Sequence, residues 1–273
     1  ERPGEAGRSV SARAAVIPLE VTTALLSTSP GLVLGATANT AVFTLGIRVL
    51  LKGLTWAGVL HSWLLGSLVY GAFGLGGYVL VCVYFLLGSA VTKLKLEQKQ
   101  KEGIAEARSG RRSPASVYGS GTAAMACAAL SLLGLPSAGA ADALRLAFVA
   151  SIASKLSDTC ASEVGKAYGK TTYLSTTFKL VPRGTEGAVS LEGTAAGVAA
   201  SLVLALLGLA CGVIDAAGVW VCVGAAFVAN WAESVLGATC QDRFEWLSND
   251  LVNVLQITLA ALLAYAARHF CGL

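Results

Sequence analysis

The sequence predicts an all-α, polytopic integral membrane protein of about seven to eight transmembrane helices, with its polar loops clustered on one face. Three observations predict it. First, 55% of the 273 residues are apolar and only 13% are charged, roughly half the ~25% charged fraction of an ordinary soluble domain. Second, the mean hydropathy is +0.68. Third, the charges are segregated. Of 36 charged residues, six lie in 1–20, ten in 93–112, nine in 154–192 and five in 233–250. Between these clusters, Val21–Thr92 holds only Arg48 and Lys52, Ser113–Ala153 only Asp142 and Arg145, and Gly193–Ala232 only Asp215. Hydrocarbon does not solvate charge, and backbone polar groups inside it must bond within their own helix. A water-soluble enzyme, a disordered chain, a collagen-like repeat and a disulfide scaffold are thereby excluded.

In chain order, 1–20 is a polar N-terminal segment. Its first fifteen residues, with Arg2, Arg8, Arg13, Ser9 and Ser11, resemble the end of an organellar transit peptide, with Glu1 and Glu5 as departures. Residues 21–273 read as one transmembrane helical domain. Spans are expected near 31–51, 55–73, 75–92, 117–134, 141–157, 193–213, 216–236 and 250–268, and 14–28 is either a further short helix or an interfacial one. The fifth span is short and carries Arg145, so a re-entrant segment is its alternative. Small-xxx-small pairs such as Gly31/Gly35, Gly193/Gly197 and Gly208/Gly212 let helices approach closely.

This arrangement sends 93–116, 158–192 and 237–249 to one side of the membrane, and the N-terminus, the 214–216 turn and the C-terminus to the other. Segment 93–112 carries seven basic residues against three acids, and Arg48 and Lys52 join it. Positive residues concentrate on the cytoplasmic or stromal side. The basic stretch reads as a solvated helix and turn anchored on anionic headgroups, with direct contact to a substrate phosphate as the alternative. No aromatic interleaving accompanies it, so nucleic acid is not an expected partner.

Chemistry is expected from three polar clusters. Seven cysteines without a CxxC pair and only two histidines, His61 and His269, argue against thiol-metal sites and histidine acid–base catalysis. The first cluster is 151-SIASKLSDTCASEVGKAYGK-170, where Lys155, Asp158, Ser162 and Lys166 share one helical face. Asp158 and Glu163 are five apart, about 140° round an ideal helix. The second, 171-TTYLSTTFKLVPRGTEGAVSLEGT-194, sets Lys179 and Arg183 beside Gly184, Thr185, Gly187 and Ser190. Backbone N–H groups, hydroxyls and cations of this kind suit phosphate oxygens, although no Walker A pattern is present. The third, 230-NWAESVLGATCQDRFEWLSNDLVNVLQ-256, aligns Asn230, Glu233 or Ser234, Gly237 and Gln241 on one face, and Asn249, Asn253 and Gln256 on another. Polar groups within spans are costly and face a cavity or a partner. Carboxylates that suit Mg²⁺, with cations that neutralise transferring phosphoryl charge, point to phosphoryl transfer on a lipid-soluble substrate.

At these same residues the chain resembles the transmembrane protein 19 family. SKLSDTCASEVGKAYGK (154–170), STTFKLVPRGTEGAVSLEGT (175–194) and NWAESVLGATCQ (230–241) look like its hallmark segments, and RSGRRSPASVYGSGTAA (108–124) like its basic lead-in to the fourth span. Cys160, where an aromatic often precedes the ASE run, is a mild departure. The resemblance is to the branch containing the plastid phytyl-phosphate kinase of tocopherol (vitamin E) synthesis. It implies transfer of the γ-phosphate of a nucleoside triphosphate, preferably CTP, with Mg²⁺, to phytyl monophosphate, in a chloroplast membrane with the active face toward the stroma.

The resulting assignments are Asp158, Lys179, Arg183 and Glu233 as catalytic, and Asp158, Glu163 and Glu233 as metal ligands. Lys155, Lys166, Gly184, Thr185, Gly187, Ser190, Asn230, Ser234, Gln241, Asn249 and Asn253 are assigned to substrate or nucleotide. The same groups would line the path of a lipid or prenyl-phosphate transporter. Their gathering at one face rather than at mid-span, without an evident inverted repeat, favours the kinase.

Overall fold

In the computed structural model, residues 30–106, 110–135, 140–241, 243–244 and 246–271 are described. The expectations for 1–20 and 14–28 lie outside them. Among the described residues, eight α-helices follow in order: α1 Pro30–Gly53, α2 Trp56–Thr92, α3 Leu96–Lys101, α4 Pro114–Leu132, α5 Ala141–Tyr168, α6 Leu191–Ala210, α7 Ala216–Leu236 and α8 Asn249–Cys271. A π-helical turn, Gly237–Gln241, ends α7. Between α5 and α6 the short strands β1 (Thr172–Leu174) and β2 (Ala188–Ser190) pair antiparallel, Tyr173 opposite Val189. The chain is thus a polytopic helical membrane protein. Among the described residues, six helices are long and apolar enough to cross a bilayer.

The two spans expected at 55–73 and 75–92 are the two arms of the 37-residue α2, whose ladder is interrupted at Gly74 (φ 66°, ψ −162°). Positive φ with extended ψ is open only to glycine. The arms double back on each other. Asn39 of α1 donates to the Trp63 carbonyl (2.7 Å) and Ser67 Oγ (3.0 Å) on the first arm, and accepts from Tyr78 Oη (2.7 Å) on the second. Both arms also reach Arg112, at Gly58 and at Gly88.

Helix α5 corrects the reading of a short or re-entrant fifth span. It runs 28 residues without a break, eleven beyond the expected end at 157. It packs on α2, α4, α6, α7 and α8, and Leu146–Leu156 is buried throughout. Alanines and serines on all sides let five neighbours approach. Because α5 faces protein rather than lipid, it needs no apolar coat, and it is not among the six helices apolar enough to be recognised as spans. The outer helices show the inverse. Leu45, Leu60, Leu75, Trp220 and Leu262 stand exposed where hydrocarbon would cover them.

Counting the arms of α2 separately and setting the short α3 aside, the described residues form eight helical segments that run between the two ends of the bundle. Gly74, the end of α4 at Leu132, the start of α5 at Ala141 and the 211–215 turn lie at one end: a side chain at Gly76 would meet Cys211, and Arg268 near the end of α8 clasps Asp215 at the start of α7 with two bonds of 2.8 and 2.7 Å. The described residues of the charged segments (93–106, 110–113, 169–190, 237–241, 243–244 and 246–248) share the opposite end, as the sequence grouped them. Capping side chains set helix starts, among them Thr55 for α2, Ser113 before Pro114 for α4, Ser190 for α6 and Asp215 for α7.

Removing the Asn39 amide unpairs the Tyr78 hydroxyl, Ser67 and the Trp63 carbonyl inside the bundle. Asn39→Leu should lower stability by about 1–2 kcal/mol, read as a fall in the unfolding midpoint in mixed micelles. The Arg268 guanidinium and the Gly218 N–H hold the Asp215 carboxyl down to about 2, against ~3.9 in an unfolded chain. Its contribution is therefore present above pH ~4 and lost as pH falls through 2. The carboxylate is half exposed, so the effect is small. Wild type should lose more thermal stability than Asp215→Asn between pH 4 and pH 2, the two curves converging.

Candidate functional site

The charged end of the bundle encloses a cavity of about 650 Å³. Its floor is built from α5, α7 and α8. Lys155 Nζ donates to Asp158 Oδ2 (2.5 Å) and Asn253 Oδ1 (2.9 Å), Asn230 Nδ2 to Ser157 Oγ (2.7 Å), and Gln256 Nε2 to the Ser154 carbonyl and hydroxyl (3.1 and 2.9 Å) and to Asn230 Oδ1. Three helices are thereby cross-linked by side chains that would otherwise be unpaired in a low dielectric. Lys155 and Asp158, at 8% and 15% exposure, form an ion pair with an open side toward the cavity. Glu233 of α7 lines the same space, close enough for its charge to feel both of them.

The rim is set by chain direction. Helices α4, α6 and α8 all begin at this end, and their first turns line the cavity through Ser116, through Ser190, Gly193 and Thr194, and through Ser248, Asn249 and Asp250. Each start is capped by a serine: Ser113 on Ser116 N, Ser190 on Gly193 N, and Ser248 on Leu251 N. Three helix N-termini aimed at one space put their positive ends and spare N–H groups where an anion gains most.

The loop between the strands closes one side. Gly184 and Gly187 adopt positive φ (83° and 70°), and a side chain on Gly187 would collide with the Ser234 carbonyl and Ala238. The loop thus lies flat on the end of α7 with Gly184, Thr185, Gly187 and Ser190 facing the cavity. Arg183 fastens it to the basic segment, donating to both Glu102 oxygens (3.0 and 3.1 Å) and to the Lys166 carbonyl (3.2 Å).

Of the residues the sequence singled out, the structure brings together Lys155, Asp158, Lys166, Arg183, Gly184, Thr185, Gly187, Ser190, Asn230, Glu233, Ser234, Asn249 and Asn253 around this cavity. It does not bring Glu163, Lys179 or Gln241 there. Glu163 is 1% exposed and pairs with Lys99 of α3, whose ammonium also donates to the Thr92 carbonyl (2.9 Å). The 140° offset from Asp158 turns it toward that lysine. Lys179 is exposed on the outer side of the β1–β2 connection, and Gln241 packs at the π-helical turn. The cavity also takes Tyr84, Arg111, Arg112, Ser120 and Asp250, which sequence reasoning did not select. For the arginines a signal existed: an Arg-Arg pair directly before the Ser-Pro start of α4. Of the basic segment, 103–106 and 110–112 line the cavity, and Lys95 donates to the Ala167 carbonyl (3.0 Å).

As to metal, among the described residues no three His, Cys, Asp or Glu side chains cluster tightly enough to hold an ion unaided. Hard oxygens of Asp158 and Glu233 beside an anion-attracting space fit Mg²⁺, which keeps waters and takes one or two carboxylates plus substrate phosphates. They do not fit a closed structural metal site.

The model of the family described as integral membrane protein DUF92 matches residues 39–261. "Protein VTE6, chloroplastic" of Arabidopsis thaliana is 49% identical over 234 residues, covering 85% of this chain and 70% of that one. An uncharacterized membrane protein of Synechocystis, sll0875, is 50% identical over 213 residues, covering 78% and 82%. Another, MJ0933 of Methanocaldococcus jannaschii, is 32% identical over 200 residues, covering 72% and 79%. No solved structure matches the chain.

The Lys99–Glu163 pair is fully buried, so removing one partner strands the other charge. Lys99→Ala should cost about 3–5 kcal/mol, while Lys99→Met combined with Glu163→Met should recover most of it. Unfolding in detergent measures both, and a Glu163→Gln variant more harmful to activity than to stability would return Glu163 to the site chemistry.

Proposed function

The chain belongs to the integral membrane protein DUF92 family, and on that premise we propose that it is a membrane-bound prenyl-phosphate kinase. It transfers the γ-phosphate of a nucleoside triphosphate, CTP by the resemblance of its motifs, to phytyl monophosphate, yielding phytyl diphosphate for tocopherol synthesis. The observation that carries this reading is the convergence of three helix N-termini, Lys155, Lys166 and Arg183 with Asp158 and Glu233 in one cavity at the charged end of a lipid-embedded bundle. A volume of about 650 Å³ suits a nucleotide and a second phosphate group together. The chloroplastic relative supports a plastid membrane as its location.

The chemistry needs no histidine. A phosphate monoester has its second pKa near 6, so its dianion is already the nucleophile at neutral pH. One of its oxygens attacks the γ-phosphorus, a P–O bond forms, and the bond to the β-phosphate bridging oxygen breaks with its electron pair leaving on the nucleoside diphosphate. The obstacle is bringing two polyanions together. Helix termini and cations that are already oriented lower that cost without reorganising during the reaction. Mg²⁺ held by Asp158 and Glu233 would supply further charge neutralisation on the nucleotide phosphates. Lys155, fixed by Asp158 and Asn253, stands beside those carboxylates. The Gly184–Gly187 loop and Lys166 offer N–H groups and charge from the water side.

The test is the purified chain with Mg²⁺, phytyl phosphate and each of four nucleoside triphosphates. Diphosphate formation is expected with at least one, and none with any prenyl phosphate removes the kinase. Asp158→Asn and Glu233→Gln should each lower kcat by about 100-fold or more, with the protein still folded. Lys179→Ala, outside the cavity, should stay within about threefold of wild type, a difference of ~0.6 kcal/mol. Equal losses at all three positions would break the site assignment.

A further inference from the structure

The lining cations fall into two groups at different depths. Lys166 and Arg183 stand beside the exposed Gly184–Glu186 stretch, on the water side. Arg112 does not. Its guanidinium lies 4.6 Å from the centroid of the Tyr84 ring and donates to Tyr84 Oη. Tyr84 sits eight residues before the end of α2, about 12 Å down that helix. Ser120, six residues into α4, lines the cavity about 9 Å below the helix start.

Arg112 is held in place with care that a headgroup anchor would not need. Its N–H donates to the Gly53 carbonyl (2.9 Å), its carbonyl accepts from Thr55 N (3.0 Å), and both arms of α2 present glycine to it. A side chain at Gly58 would strike its carbonyl, and one at Gly88 would sit 2.7 Å from its Nη2. Lys155 and Arg183 have acid partners in Asp158 and Glu102, whereas no carboxylate among the described residues pairs with Arg112. Ser120 is only 7% exposed and its hydroxyl makes no hydrogen bond with the described residues. A guanidinium without a counter-ion at that depth is costly, and a planar fork beside a spare hydroxyl matches phosphate oxygens.

We propose that the cavity holds two phosphate subsites, and that the deeper one, formed by Arg112 and Ser120 under the N-terminus of α4, takes the terminal phosphate of a lipid-borne phosphomonoester. The shallower one, Gly184–Gly187 with Lys166, takes the phosphates of the water-borne nucleotide. The division rests on the kinase reading above and deepens it. A phosphate on an isoprenoid tail is tethered to the hydrocarbon and arrives low, whereas a nucleotide arrives from water across the exposed loop. Asp158, Lys155 and Glu233 lie on the cavity floor that both subsites share.

The experiment uses the full chain in nanodiscs with Arg112→Ala, Arg112→Lys and Ser120→Ala. Arg112→Ala should raise the KM for phytyl phosphate at least tenfold and leave the KM for CTP within twofold. Arg112→Lys should fall between it and wild type, and Ser120→Ala should raise the phytyl-phosphate KM severalfold. A CTP KM that rises as much, or neither rising, overturns the assignment. Binding is read separately from turnover, as the shift in unfolding temperature of nucleotide-free protein on adding phytyl monophosphate. Wild type should shift, and Arg112→Ala and Ser120→Ala should not. Inorganic phosphate at the same concentration, and phosphatidylglycerol in the disc, should each leave wild type unshifted. An equal shift from either would mark a free-anion or general headgroup site and overturn the lipid-borne assignment. If wild type makes no diphosphate with any nucleotide, the kinase reading fails, and the binding shift still decides the deeper subsite. Should Arg112→Ala not fold, Ser120→Ala, which removes one unbonded hydroxyl, carries both measurements.

Discussion

A helix bearing Ser151, Ser154, Lys155, Ser157 and Asp158 at the centre of a lipid-embedded bundle persists only if each polar group finds a partner that lipid cannot offer. Ser151 donates to the Phe148 carbonyl of its own helix and Asp158 pairs with Lys155, while Ser154, Lys155 and Ser157 are met from two other helices: by Gln256 and Asn253 of α8, and by Asn230 of α7. Without them the cost of buried polar groups, roughly 1–3 kcal/mol each, would disperse the three helices. With them, the same bonds fix α5, α7 and α8 in register and hold Lys155, Asp158 and Glu233 at a common level.

That constraint also explains why the charged end is a cavity rather than a set of loops. Of the helices running toward this end, α5 continues to Tyr168, α7 ends in a π-helical turn, and the second arm of α2 ends at Thr92. Of the helices that begin here, α4, α6 and α8 line the cavity with their first turns. Alternation of direction brings helix N-termini to this side, and those of α4, α6 and α8 face the cavity. The buried Lys99–Glu163 pair and the Arg183–Glu102 bridge tie the basic segment and the glycine loop over the space they surround.

Much of this was legible in the chain. Charge-free runs located the membrane-crossing segments, and the clusters at 93–112, 154–192 and 230–253 marked the polar end, because hydrocarbon penalises charge regardless of how helices are packed. Thirteen site positions, among them Asp158, Arg183 and Asn253, were selected from residue chemistry and family resemblance and do meet in one cavity. Others were not recoverable. Glu163 and Asp158 look alike in sequence, and only the position of Lys99, 64 residues away, separates a structural ion pair from a cavity carboxylate. Lys179 and Arg183 look equally suited to phosphate, yet the β1–β2 hairpin turns one outward and the other in. Arg112 stood among ten charged residues of a basic stretch, and its place before the Ser-Pro helix start was the one local mark that set it apart.

The linear order of residues therefore determined that the chain enters a bilayer, roughly where it crosses, and which end carries the polar chemistry. These follow from transfer free energies that each segment incurs on its own. The tertiary structure alone decided which charges neutralise each other and which are left to face a ligand. It also decided that the least apolar span is the central one. Pairing and enclosure depend on neighbours far apart in the chain, and no local property of a segment records them.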